Sequence, residues 1–115
     1  MDTKTLLKHY RRCGRIAGSN LTMEDIDKEL EQVYPSVDLP IHLEAVEFVN
    51  AIRQAYNRMT NKKLKRILFL AYLNAQPEHR YKKELYHSLG MSESNYYRVQ
   101  AEAIRQLGTK LDSNC

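Results

Sequence analysis

The 115-residue sequence has no tryptophan, only four glycines and three prolines, and just two cysteines, Cys13 and Cys115. Neither cysteine has a neighbour at metal-ligand spacing, so we expect reduced thiols in the cytoplasm rather than a disulfide framework. No apolar run approaches the ~20 residues that a membrane-spanning helix needs, and no signal-peptide pattern opens the chain. The longest such run, residues 67–73, predicts a buried helix, and we expect no contact with a membrane.

The residues for catalysis are also missing. The four histidines, His9, His42, His79 and His87, have no cysteine or carboxylate at ligand spacing. The sequence contains no glycine-rich phosphate loop and no nucleophile motif. We therefore expect neither an enzyme nor a bound metal or cofactor.

Strands are not expected either, because no stretch alternates apolar and polar residues, whereas apolar residues recur at helical spacing. The sequence predicts an all-α protein, a small helical domain with a helix-turn-helix near its C-terminal end. Helices are predicted over residues 3–17, 22–34, 41–60, 61–75, 81–89 and 92–107.

The net charge of +4 is unevenly distributed. Residues 1–20 hold five Lys or Arg against one acidic residue, residues 21–61 hold three against eight, and residues 62–105 hold nine against four. The pattern predicts a basic N-terminal helix or arm at 1–20, an acidic bracing or dimerisation segment at 21–60, and a DNA-binding domain at 61–115. Basic segments favour a polyanionic partner, and we expect double-stranded DNA.

Three features have two readings each. The N-terminal segment is either an arm that contacts the DNA backbone or a helix that docks by Leu6, Leu7 and Tyr10; the arm contacts would be Lys8, Arg11, Arg12 and Arg15. The apolar seam of helix 41–60 indicates core packing more strongly than a dimer seam; its residues are Ala45, Val49, Ile52, Tyr56 and Met59. Lys62 and Lys63 open the next helix, where they either meet a phosphate or remain solvated.

Residues 81–107 carry the helix-turn-helix pattern. Gly90 stands where a helix end needs a left-handed residue, Met91 is an apolar plug, and Ser92 is a good N-cap. On the helix that follows, a helical wheel predicts a buried stripe of Tyr96, Val99, Ala103 and Leu107. Ser94, Arg98, Ala101 and Arg105 point the opposite way, with Glu93, Asn95 and Tyr97 on the flanks.

The outward face carries groups that read bases in the major groove. Arg98 can bind guanine through two hydrogen bonds, Asn95 can pair with adenine or cap the first turn, and Glu93 can accept from cytosine. Ser94 has a shorter side chain that can also contact a base edge, and Ala101 leaves room for the groove wall or a thymine methyl. Backbone contacts are predicted for Tyr97, Arg105, Arg80, Lys82, Lys83, Lys62 and Lys63.

Residues 68–107 resemble region four of bacterial sigma factors. The match lies in the turn Leu89-Gly90-Met91-Ser92 and in the trailing Ala101, Ala103, Ile104, Arg105 and Leu107. The YYR after the turn and residues 8–18 (KHYRRCGRIAG) resemble the ArpU/RinA-like phage late-gene regulators. In sigma region four, residues matching Glu93, Ser94 and Arg98 read the upstream promoter element, and the residue matching Tyr97 approaches the backbone.

The resemblance implies a phage or prophage activator of late genes, acting in the cytoplasm of a bacterial host. No counterpart of sigma region two is present, which favours an accessory regulator. A homodimer reading two half-sites and a monomer that gains affinity from host RNA polymerase or a sigma factor both fit. Two other functions remain open: a small terminase-like DNA-packaging subunit, and a module that docks on polymerase or sigma factor without specific DNA contact.

Overall fold

The computed structural model describes residues 2–74, 86–87 and 89–112, apart from the side chain of Met23. Within these ranges the chain is helical and contains no strand, which confirms the all-α prediction there. Four α-helices lie with both ends inside the described ranges: α1 (Thr3–Ala17), α2 (Pro40–Arg58), α3 (Lys62–Leu68) and α4 (Glu93–Asp112). A short 3-10 turn lies between α1 and α2, and α3 continues into a π-helical turn.

α1 is a docked helix, as the second of the two readings of the N-terminal segment expected. The Asp2 carboxylate caps it by accepting a hydrogen bond of 2.8 Å from the Thr5 N–H. Leu7 and Tyr10 are each only 1% exposed and pack in the core. The helix ends at Gly18, which has the left-handed φ of 79° that favours glycine. Its predicted bounds are confirmed.

α2 is the central helix of the core. Pro40 occupies its first turn, where the missing N–H costs no helical hydrogen bond. The predicted apolar seam is confirmed as core, because its five residues are at most 4% exposed within the single chain. The seam is therefore already covered and is not available for dimerisation.

The helix predicted over residues 22–34 is wrong. Only the 3-10 turn Met23–Asp25 forms, stabilised by a hydrogen bond of 2.8 Å from the Thr22 N–H to the Asp25 carboxylate. Residues 29–35 have no regular secondary structure. Its apolar side chains nevertheless reach the core: Leu30 is buried, and Ile26 and Val33 pack against the main cluster.

Side chains of α2 explain why this segment, the strap (residues 29–35), does not form a helix. The Asn57 amide accepts from the Leu30 N–H at 2.9 Å and donates to the Leu30 carbonyl at 2.7 Å. Asn50 makes the same pair with Val33, at 2.7 and 2.8 Å. Backbone groups that a helix would pair internally are therefore satisfied by α2.

α3 begins as predicted but ends differently. Asn61 caps it by accepting from the N–H groups of Lys63 and Leu64. The π-helical turn Phe69–Leu73 then replaces α-helix, and its last bond runs 3.0 Å from the Asn74 N–H to the Phe69 carbonyl. Of the predicted helix 81–89, residues 81–85 and 88 lie outside the described residues, while Tyr86 and His87 are helical.

The described residues form a core with two connected parts. The main cluster takes residues from all four helices, and therefore from all three segments that the charge pattern distinguishes. A smaller cluster lies under the turn before α4 and contains Ile67, Tyr86, Met91 and Tyr96. Val99 packs against both clusters, so the N-terminal half of α4 is anchored to the rest of the molecule.

Candidate nucleic-acid interface

The turn before α4 has the geometry that its sequence predicts. Gly90 adopts a left-handed φ of 68°. Its N–H donates to the His87 carbonyl at 3.0 Å, and the Met91 N–H donates to the Tyr86 carbonyl at 2.9 Å, which together form a Schellman motif. Met91 is buried at 7% exposure, and the Ser92 hydroxyl caps α4 by accepting from the Asn95 N–H at 3.3 Å.

The buried side of α4 also agrees with the prediction. Tyr96, Ala103 and Leu107 are at most 1% exposed, and Val99 is half-buried. The sequence did not reveal that Gln100 is buried beside them, where it donates a 3.0 Å hydrogen bond to the Tyr96 hydroxyl. Burial raises the pKa of Tyr96 to about 12, so the phenol stays neutral and accepts this bond.

The opposite side of α4 is open. Ser94, Arg98, Ala101 and Arg105 are all exposed, as are Glu93 and Tyr97 on its flank, and we call the first four the readout face. Asn95 and Glu102 on the other flank are half-buried. α4 extends to Asp112, five residues beyond its predicted end. The face is therefore presented by a continuous 20-residue helix that is fixed along its other side.

Arg98 is oriented within its own helix. Its Nη2 donates a hydrogen bond of 2.7 Å to Oδ1 of Asn95, one turn earlier. Because the cap is formed by Ser92, the Asn95 side chain is engaged with Arg98 rather than with the helix end. Asn95 thus holds the guanidinium at the N-terminal half of the readout face, where helix-turn-helix proteins contact base edges.

Arg105 is paired with an acidic neighbour. Its Nε donates to Glu102 at 2.9 Å and its Nη2 donates to the other carboxylate oxygen. This pairing is the main cause that lowers the pKa of Glu102 to about 2, with a further hydrogen bond from Gln106. The positive charge of Arg105 is consequently offset, and the C-terminal half of the readout face is nearly neutral.

The start of α3 lies beside the turn. An open cleft of about 570 Å³ is lined by Lys62, Lys63, Arg66, Asp27, Ile67, Leu89 and Met91. Lys62 and Lys63 are exposed there, as backbone contacts need to be. Arg66 forms a two-bond ion pair with Asp27, which lowers the pKa of that carboxyl. The sequence could not reveal this pair, because its members are 39 positions apart.

The four predicted arm residues differ in accessibility. Lys8, Arg12 and Arg15 are exposed on α1. Arg11 is half-buried, and its Nε donates 2.7 Å to the Asn74 carbonyl at the end of the π-helical turn. Burial lowers its pKa, and its guanidinium joins α1 to the end of the π-helical turn. Only three of the four side chains are thus placed to meet a ligand.

Three predicted backbone contacts, Arg80, Lys82 and Lys83, lie outside the described residues. Over the ranges that are described, no helix is long and apolar enough to cross a bilayer, and no three His, Cys, Asp or Glu side chains are grouped to hold a metal ion. The chain has been compared with protein-family models, with curated proteins and with solved structures, and none of them matches it.

Proposed function

We propose that this protein is a sequence-specific DNA-binding regulator of transcription, and that α4 lies in the major groove of its site. The observation that carries the proposal is the readout face. It exposes Ser94, Arg98 and Ala101 directly after a capped turn, on a helix whose other side is buried. An α-helix fits the major groove, and short or flat side chains at its start allow close approach to base edges.

Base readout centres on Arg98. Its guanidinium can bind O6 and N7 of guanine through two parallel bonds, and releasing Asn95 leaves that amide free to pair with adenine. Glu93 and Ser94 lie one turn closer to the helix start and contact neighbouring bases. Ala101 follows Arg98 along the groove and makes room for a thymine methyl.

Backbone contacts come from both sides of α4. Lys62 and Lys63 line the cleft beside the turn with exposed ammonium groups. Tyr97 lies on the flank of α4 with 38% of its surface exposed, suited to a phosphate or sugar contact. Arg80, Lys82, Lys83 and Arg105 complete the proposed set. Arg105 would need to exchange its bond with Glu102 for one with phosphate, so we expect its contribution to be small.

The biological setting of the proposal rests on the resemblance to sigma region four and to the ArpU/RinA-like regulators. It is activation of phage or prophage late genes in the cytoplasm of a bacterial host. The protein would act as an accessory regulator beside host RNA polymerase, as a monomer or as a homodimer on paired half-sites. Its role would be binding rather than catalysis.

Footprinting on genomic DNA of the phage and its host, combined with light scattering, tests this proposal. We expect protection of a short site upstream of a gene, with an affinity that falls steeply as salt rises, because phosphate contacts release counterions. Uniform binding to all fragments would contradict sequence-specific regulation. A ring-shaped oligomer would instead favour the small terminase-like packaging subunit.

A further inference from the structure

Large apolar side chains are exposed together over residues 34–43. Their exposed fractions are 78% for Tyr34, 49% for Val37, 58% for Leu39, 65% for Ile41 and 38% for Leu43. Across the described ranges only one other large hydrophobic residue, Tyr97 on α4, is exposed to this degree. We call these five residues the apolar ridge. So many exposed apolar side chains within ten residues are more typical of a binding surface than of a solvated loop.

The ridge is held in place by hydrogen bonds at several points. The Ser36 N–H donates 3.3 Å to Nε2 of His42, which joins the loop to the first turn of α2. The Leu43 N–H donates 2.9 Å to the Leu39 carbonyl, and Asn50 fixes Val33 just before the ridge begins. Because these residues are already ordered, a partner pays little conformational entropy to bind them.

The charges within and directly beside the ridge are of one sign. Residues 32–52 contain three acidic residues and no lysine or arginine. All three are exposed, and we call them the acidic rim: Asp38, Glu44 and Glu47. An apolar centre with an acidic rim complements a partner that carries apolar side chains flanked by lysine or arginine.

We propose that the apolar ridge and its acidic rim form a docking surface for a basic amphipathic segment of another protein. Exposed apolar side chains would supply the buried centre of the contact, and the acidic rim would select the charge and orientation of the partner. This surface is distinct from the readout face, and the inference does not depend on α4 binding DNA.

Charge argues against the other occupants. DNA, RNA and an anionic membrane would meet three carboxylates and be repelled. A symmetric dimer through the ridge would place the same acidic rim against itself, since such an interface uses one patch twice. A head-to-tail contact with the basic side of α1 would bring cations to the rim. That side exposes Lys4, Lys8, His9, Arg12 and Arg15, which offer no large apolar group to cover the ridge.

The test uses a synthetic helical peptide of about 18 residues, long enough to form a helix on a surface, with leucines on one side and lysines on the other. Its affinity for the full chain is measured by calorimetry and mapped by NMR. We expect binding at residues 34–47, at least about tenfold tighter than to a peptide in which glutamates replace the lysines. A scrambled peptide of the same composition, which lacks an apolar side, should also bind at least about tenfold more weakly.

Two double variants should each weaken binding of the leucine-lysine peptide about tenfold or more. One changes the ridge, Leu39→Ser with Ile41→Ser, and the other changes the rim, Glu44→Lys with Glu47→Lys. All four side chains are exposed, so folding, checked by circular dichroism, should persist. Glu24→Lys changes an exposed carboxylate outside the rim and is the matched control, expected to stay within about twofold. Equal affinity for all three peptides, or a dimer in light scattering that Leu39→Ser with Ile41→Ser dissociates, would overturn the proposal.

Discussion

Two asparagines of α2, Asn50 and Asn57, decide the conformation of a segment that the sequence pattern assigns to a helix. Each amide donates to and accepts from the backbone of one strap residue, Val33 or Leu30. Arg53 lies on the same side of α2 and donates to the Glu31 carbonyl at 2.6 Å. Local propensity and apolar spacing favour a helix over 22–34, but these tertiary hydrogen bonds favour an extended chain.

Asn57→Ala should therefore destabilise the protein more than the loss of a few side-chain atoms alone would. The substitution leaves both the N–H and the carbonyl of Leu30 without a partner. We expect a loss of about 1–2 kcal/mol in the free energy of unfolding, the lower part of the usual range because Leu30's backbone is only partly buried. Urea denaturation measures it. Glu47→Ala, at an exposed position of the same helix, is the control, and equal effects of the two variants would contradict the role given to Asn57.

The long-range contacts of two arginine side chains were not predictable from the sequence. Arg11 donates to a carbonyl 63 positions away, and Arg66 pairs with a carboxylate 39 positions away. In the sequence both residues look like ordinary surface cations, although Arg11 is half-buried and Arg66 is held in an ion pair. By contrast, the sides of α4 were predictable, because a wheel drawn from Tyr96, Val99, Ala103 and Leu107 depends only on helix geometry.

At the scale of elements, the sequence predicts best where a helix carries its own start and stop signals. α1 is bounded by Asp2 and Gly18, α3 starts at the cap Asn61, and the turn into α4 is set by Gly90 and Ser92. The π-helical turn after α3 has no such local signal. The extension of α4 past residue 107 was also missed, because a glycine there usually weakens a helix.

Gly108 lies where α4 packs closely against the start of α1. A Cβ placed on it would come within 2.6 Å of the Thr3 hydroxyl oxygen. Glycine to alanine inside a helix usually adds about 0.5–1 kcal/mol of stability. We expect Gly108→Ala to show that gain in a Thr3→Ala background and to lose it, or become destabilising, in the wild type.

A double-mutant cycle in urea measures this coupling, which we expect to be about 1 kcal/mol for residues in direct contact. Ala101→Gly, at an exposed position of the same helix, is the control and should cost the same with and without Thr3→Ala. An equal effect of Gly108→Ala in both backgrounds would show that the Thr3 side chain does not restrict the space for a Cβ at position 108.

At the scale of the whole molecule, one core supports two surfaces of different chemistry. The readout face and the exposed lysines of α3 lie in the segment of net positive charge, and the apolar ridge lies in the acidic segment. The sequence predicted the charge division and the readout face. It did not predict the ridge, because residues 35–40 lie between two predicted helices, and nothing in the sequence indicates that the apolar side chains of residues 34–43 are exposed.

The central claim is that α4 reads DNA bases through Arg98. The most direct measurement is the affinity of wild-type protein and of Arg98→Ala for the footprinted site and for every single-base-pair variant of it. Arg58→Ala, at an exposed arginine near the end of α2, is the matched control. We expect Arg98→Ala to lose about 1–3 kcal/mol of binding free energy and discrimination at one base pair, while Arg58→Ala changes neither. Wild-type affinity and unchanged discrimination at every position in Arg98→Ala would contradict the claim.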